Sequence, residues 1–224
     1  FFMGYGTWSS PLRDYLADGW RTLSELTLLL ERTGRTLTGC GPVLEFASGH
    51  GRFTRHLVKA LGCERVTVSD VVPGAVAFSK THFGVKGFVS HASPADVQWP
   101  GRYGLVFVLS LFSHLPRSTW QDWLIKLWEA VEPGGLLVLT THGEFAVRRA
   151  GVTLDESGFY FVAASESKAI NAEQYGTAFT SSAFVQEQMA TLSSQPASWH
   201  MEPAWFWAHQ DAYVLQKSTQ GEAA

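Results

Sequence analysis

Residues 43–55, VLEFASGHGRFTR, admit few local structures. Pro42 precedes a short apolar run, Gly49 and Gly51 flank one residue, and a helical pattern through His56, Leu57 and Leu61 runs to Gly62. That is a buried strand feeding a helix through a tight turn. Glycine there permits backbone angles and close approach that a side chain would block. A glycine turn at the carboxyl end of a first parallel strand is where open α/β sheets receive nucleotide-like ligands.

The downstream pattern repeats this unit. Residues 65–70, RVTVSD, alternate, are rich in β-branched side chains and end in Asp70, so they read as strand two. A helix follows over 74–82 and stops at Gly84; strand three is expected over 87–91 and strand four over 103–109. Ser118 to Asp122 open a helix reaching Val131, with Trp120, Trp123, Leu124, Leu127 and Trp128 on one face. The run Glu132-Pro133-Gly134-Gly135 breaks it, and the apolar stretch 136–140 reads as strand five, covered on both faces. This order predicts a doubly wound α/β fold. Residues 199–207 and 211–217 alternate as two strands, the closing antiparallel hairpin.

Ahead of the first strand, residues 1–41 form a helical lead-in. Ser9-Ser10-Pro11 can cap a helix opening near Leu12, and a second stretch over 22–32 places Leu23, Leu26, Leu29 and Leu30 on one face. Residues 42–217 form the main domain. Within it, 144–198 are a less regular insert, with an aromatic strand over 158–162, an extended piece over 175–180 and a helix over 183–192 capped by Ser181-Ser182. Residues 218–224 are a polar tail.

Apolar residues make up 46% of the 224 and charged ones 17%, enough for a sizeable core. The net charge of -3 argues against nucleic acid as partner, since phosphate binding needs a basic face. Nine Trp and fifteen Phe serve core packing first and an acceptor pocket second. Two cysteines, Cys40 and Cys63, make no metal pair or disulfide framework, which points to a reduced, cytoplasmic setting. No apolar run reaches the roughly 18 residues of a membrane span, and the start Phe1-Phe2-Met3-Gly4 does not read as a signal peptide.

Two ligand classes use such a turn, dinucleotides and S-adenosylmethionine (SAM). The dinucleotide fingerprint wants a third small residue, where this chain has Thr54. Glu45 ends the strand. A carboxylate there suits an ammonium and a sulfonium and repels a pyrophosphate. Asp70 stands 21 residues after Gly49, near the separation at which an acid meets ribose hydroxyls. The run E-x-A-x-G-x-G-R, Glu45 to Arg52, resembles motif I of the class I SAM-dependent methyltransferases. The P-G-G turn before strand five is a recurrent feature of the same family.

The resemblance implies a Rossmann-like, mostly parallel seven-stranded sheet with a C-terminal antiparallel hairpin. It implies SAM as cofactor, with Glu45 orienting the methionine amino end and Ala47, Ser48, Gly49, Gly51 and Arg52 forming the turn. Asp70 and Val71 are placed at the ribose, Ser93 at the adenine, and Leu109 and Ser110 beside the cofactor. The chain departs from the family pattern at Ser93 and Gly104, where an acid is usual. Tyr5, Trp8 and Trp20 are candidates to cover the cofactor, weighed against ordinary packing.

The strings EFASGHGRFTRHL, LSLFSHLP and GGLLVLTTHG, with Tyr175-Gly176 and His209-Gln210-Asp211, look like a bacterial methyltransferase subgroup, many of them associated with glycosyltransferases. This implies methyl transfer to a small-molecule or saccharide acceptor, at oxygen. His114, His142 and His209 are the candidate catalytic residues, with Asp211 beside them, because each follows a strand or lies in the subgroup string. No zinc-type spacing is present, so no metal is expected. Two rivals are a non-catalytic SAM-binding module of a larger assembly and a nicotinamide-dependent oxidoreductase.

Overall fold

The structure, a computed structural model, describes residues 10–163 and 173–219. The chain divides into two compact units, residues 1–92 and 93–224. Tyr5 and Trp8 lie outside the described residues.

The first unit opens with helix α1, Pro11–Arg32. It is one helix, where the sequence suggested two pieces. Gly19 does not interrupt it. A Cβ at Gly19 would lie 2.0 Å from the Arg52 carbonyl oxygen, so this glycine lets α1 approach the chain entering the next helix. Leu26, Leu29 and Leu30 are fully buried, and each contributes about 1.5–3 kcal/mol. Strand β1, Val43–Phe46, is buried along its whole length. Helix α2, Thr54–Leu61, follows and ends at Gly62, whose φ of 88° suits a helix stop. Strand β2, Val66–Asp70, pairs parallel with β1. Helix α3, Pro73–Phe83, ends at a left-handed Gly84 and leads to β3, Lys86–Val89, which pairs parallel with β2.

The second unit begins its sheet with β4, Tyr103–Val108, parallel to β5, Val131–Thr141. Strand β5 starts five residues earlier than the sequence suggested. The Pro133-Gly134-Gly135 run is not a break before it but an irregularity inside it. Tyr103 pairs with Val131 and Leu105 with Leu136, and Gly134 at φ 77° absorbs the extra residues. Helix α4, Arg117–Glu129, buries the five residues expected, Trp120, Trp123, Leu124, Leu127 and Trp128. Trp120 meets Phe112 at 4.6 Å and Phe184 edge-on at 5.3 Å.

A short helix, α5, Glu144–Ala150, lies in the segment read as irregular. Its acid in the first turn, two arginines in the last and left-handed Gly151 are ordinary helix signals. Strands β6, Phe159–Val162, and β7, Thr177–Thr180, form a separate antiparallel pair. Helix α6, Ser182–Met189, is capped by the Ser181 hydroxyl, which accepts from the Phe184 N–H. Strands β8, Ser198–Phe206, and β9, Gln210–Gln216, form the expected hairpin, with β9 antiparallel to β5. The fold class is thus the expected one: Rossmann-like, seven-stranded and mostly parallel, closed by an antiparallel hairpin. No helix among the described residues is long and apolar enough to cross a membrane.

Candidate active site

The first unit gathers the glycine turn and the two acids. Glu45 lies in the buried run of β1 and is 5% exposed. Its Oε2 accepts a hydrogen bond from the Thr54 hydroxyl at 2.6 Å. Burial pushes its carboxyl up to about 8, against the Thr54 bond and the Arg52 charge, which lower it. Thr54 stands where the dinucleotide fingerprint wants a small residue. Here it is the fully buried first residue of α2 and the partner of Glu45.

Asp70 ends β2 and is 8% exposed. Its Oδ2 accepts the Gly49 N–H at 2.8 Å and its Oδ1 the Val72 N–H at 2.8 Å. Burial raises its carboxyl, and the backbone bonds from Val72 and Gly49 oppose that rise. The turn itself is held open. Ala47 adopts a left-handed φ of 58°, unusual for a residue with a Cβ, as do Gly49 at 55° and Gly51 at 76°. A Cβ on Gly49 would meet open space, whereas one on Gly51 would lie 2.3 Å from Phe83 Cε2. The Ser48 hydroxyl is buried with no hydrogen-bond partner among the described residues. The Tyr15 hydroxyl of α1 donates to the His50 carbonyl at 2.6 Å and pins the turn from outside. Arg52 stands 4.0 Å from Asp18. Val71 and Trp20 are exposed, Trp20 at 61%.

The second unit holds the other candidates. Ser93 is exposed and precedes a short 3-10 turn, Pro94–Asp96. Leu109 and Ser110 leave β4 half-buried. Ser110 has a left-handed φ of 63°, and a closed ring of hydrogen bonds holds it. Its N–H donates to the Thr140 hydroxyl at 2.8 Å, Thr140 donates to Gln210 Oε1, and Gln210 Nε2 donates to the Ser110 hydroxyl at 2.6 Å. Nothing in the residues next to Gln210 marks it as the partner of Ser110.

The three histidines, far apart in sequence, come together. The ring centroids of His114 and His142 are 6.2 Å apart, and those of His142 and His209 are 5.0 Å apart. The segment around β7 holds them. The N–H groups of Gly176 and Thr180 donate to the backbone carbonyls of His114 and His142, both at 2.9 Å. In return, His114 Nδ1 lies 2.6 Å from the Gly176 carbonyl and His142 Nδ1 lies 3.2 Å from that of Ala178. Burial, with His209 and His114 as neighbours, lowers His142 to about 4; burial also lowers His209. His209 Nδ1 is buried with no partner among the described residues. Asp211 points elsewhere: its Oδ1 accepts from the Ala204 N–H at 2.7 Å, fixing the β8 irregularity. Among the described residues, no group of three His, Cys, Asp or Glu is placed to hold a metal ion.

Residues 43–135 match the Methyltransf_25 family, described as a methyltransferase domain. Over these residues the chain is similar to a methyltransferase domain. Solved structures share its fold at low identity. The DhpI–SAH complex superposes with a TM-score of 0.60 at 18% identity, covering 98% of this chain and 92% of that one. Magnesium protoporphyrin IX methyltransferase from Synechocystis PCC 6803, with bound SAH, gives 0.59 at 14%, covering 92% and 87%. The N-methyltransferase NodS from Bradyrhizobium japonicum WM9, in complex with S-adenosyl-L-homocysteine (SAH), gives 0.57 at 14%, covering 94% and 93%. No curated protein matches the chain significantly. The methyltransferase-domain match begins at Val43 and spans the whole glycine turn, both acids, Ser93, Leu109, Ser110 and His114; it ends before His142 and His209.

Proposed function

We propose that the protein is a SAM-dependent methyltransferase acting at an oxygen atom of a small-molecule or glycan-linked acceptor. The observation that carries the cofactor is the turn of the first unit. A buried carboxylate at Glu45, a buried unpartnered hydroxyl at Ser48 and open space over Gly49 lie within five residues. These fit SAM better than a pyrophosphate, because an ammonium favours the ionised form of the Glu45 carboxyl and pairs with it, whereas a pyrophosphate's negative charge would oppose that ionisation and repel the carboxylate. SAM, when bound, supplies a methyl group already activated on a sulfonium sulfur.

The chain's own residues have the remaining work. Glu45 pairs with the ammonium, and Thr54 keeps its carboxylate oriented. Asp70 offers acceptor oxygens to the ribose hydroxyls. Ala47 to Arg52 bring backbone close, with Val71 beside the ribose and Ser93 toward the adenine. Leu109 and Ser110 are assigned to the cofactor as well, and the ring around Ser110 keeps its strained backbone in place. Residues 1–41 are assigned as a cover. His114, His142 and His209 are assigned to the acceptor, where positioning and proton removal speed the reaction.

Calorimetric titration with SAM and with SAH tests the reading. Binding of both is expected. A folded protein that binds neither refutes it. Methyl-acceptor turnover in a mixed extract then separates an enzyme from a non-catalytic binding module.

A further inference from the structure

We infer that the histidine cluster of the second unit is a binding site for a flat, uncharged ring bearing a hydroxyl, with His142 Nε2 accepting the hydrogen bond from that hydroxyl. The inference rests on the methyltransferase reading and narrows its acceptor to an aromatic hydroxyl compound.

Ala178 fixes the tautomer of His142. A backbone carbonyl only accepts hydrogen bonds, so the proton shared across the 3.2 Å between it and His142 sits on Nδ1. Nε2 then carries the lone pair. Turning the ring over would break the Ala178 bond in a ring packed 5.3 Å from Phe179, while the Thr180 N–H bond to the His142 carbonyl at 2.9 Å holds the backbone that carries it. His142 is therefore an acceptor aimed by β7 rather than a freely rotating imidazole. Its lowered pKa agrees: the ring stays neutral at neutral pH and keeps its lone pair.

The walls set the shape of the ligand. Tyr175 stacks on His114 at 4.6 Å and 15°. Phe179 lies 5.3 Å from His142, and Phe145 lies edge-on to His209 at 6.3 Å. Phe145 is 39% exposed beside this cluster, apolar area that a ring would remove from water. Flat rings stack and tilt against such faces. The neutral His142 ring offers no charge to neutralise an anionic acceptor.

Two compounds differing only in the donor test this: 7-hydroxy-4-methylcoumarin and 4-methylcoumarin. Each is measured by equilibrium dialysis against the full chain with saturating SAH, and SAH binding is measured alone. The wild type should bind the hydroxyl compound about tenfold more tightly, because a site built for a donor disfavours the analogue lacking one. H142N keeps an amide N–H for the Ala178 carbonyl and removes Nε2. Its preference should fall below about twofold.

Equal binding of the two coumarins by the wild type overturns the inference, and so does an undiminished preference in H142N. Tighter binding of a methyl glucoside than of the hydroxycoumarin overturns the aromatic assignment. The wild-type comparison needs no variant to fold. SAH binding without hydroxyl preference defeats this inference alone, whereas failure of SAH to bind defeats the methyltransferase reading.

Discussion

The Gly49 N–H donates to Asp70 Oδ2 across 2.8 Å and 21 residues. This bond joins the glycine turn to the end of β2, so one acid shapes the turn while presenting its remaining lone pairs. Asn offers one acceptor oxygen where Asp70 now serves both Gly49 and Val72. D70N should leave one of those N–H groups unpaired, at about 1–3 kcal/mol. Melting should fall by roughly 2–12 °C for a chain of this size, and SAH affinity, read by calorimetry, should fall more than about tenfold.

Glu45 gives a pH signature of known sign. Its native pKa of about 8 lies above its ordinary 4.5. The native state therefore holds the proton more tightly than the unfolded chain. That stabilisation is complete below about pH 4.5 and is lost as pH rises toward 8. E45Q keeps an acceptor for Thr54 and never ionises. Its melting temperature should pull ahead of the wild type's progressively between those pH values, then level off. In the wild type, SAM binding should tighten over the same interval and release protons, seen as a dependence of calorimetric heat on buffer ionisation.

The two turn glycines should separate function from stability. G49A places its Cβ in open space, so the expense is the left-handed backbone alone, about 1 kcal/mol. It should fold and lose SAH binding. G51A drives a Cβ into the Phe83 ring and should show the larger melting loss, about 2–3 kcal/mol. Equal melting losses with intact binding in both would contradict the assignment.

Gln210 closes the ring around Ser110. Q210L removes the acceptor for Thr140 and the donor to the Ser110 hydroxyl together. A loss of about 1–3 kcal/mol is expected in denaturant unfolding, with an unchanged m-value.

The turn before His209 is strained. Trp207 and Ala208 both take left-handed angles, 56° and 52°, where Asn-Gly is the usual pair. A208G should relieve about 1 kcal/mol and raise the melting temperature by roughly 2–4 °C. No change, or a fall, would show that the turn carries no releasable strain.

Much of this was legible along the chain. The alternation of 65–70, the apolar stripe of α4, the Ser181 cap and the closing hairpin are each written in neighbouring residues, because helix and strand periods repeat over short spans. The same local logic failed in residues 1–41, where two helical stretches are one helix, α1, and at Pro133 to Gly135, which read as a break yet lie in an irregularity within β5.

Residue order alone thus specified the fold class, the glycine turn with its two acids, and which histidines to watch. It could not specify their partners. Thr54 as the hydrogen-bond donor to Glu45, Gln210 bonded to Ser110 across 100 residues, and β7 as the frame that gathers His114 and His142 emerged only from packing. The reason is physical. Hydrophobic periodicity is a property of adjacent residues, whereas a side-chain hydrogen bond of 2.6 Å exists only after distant segments have been brought to one place.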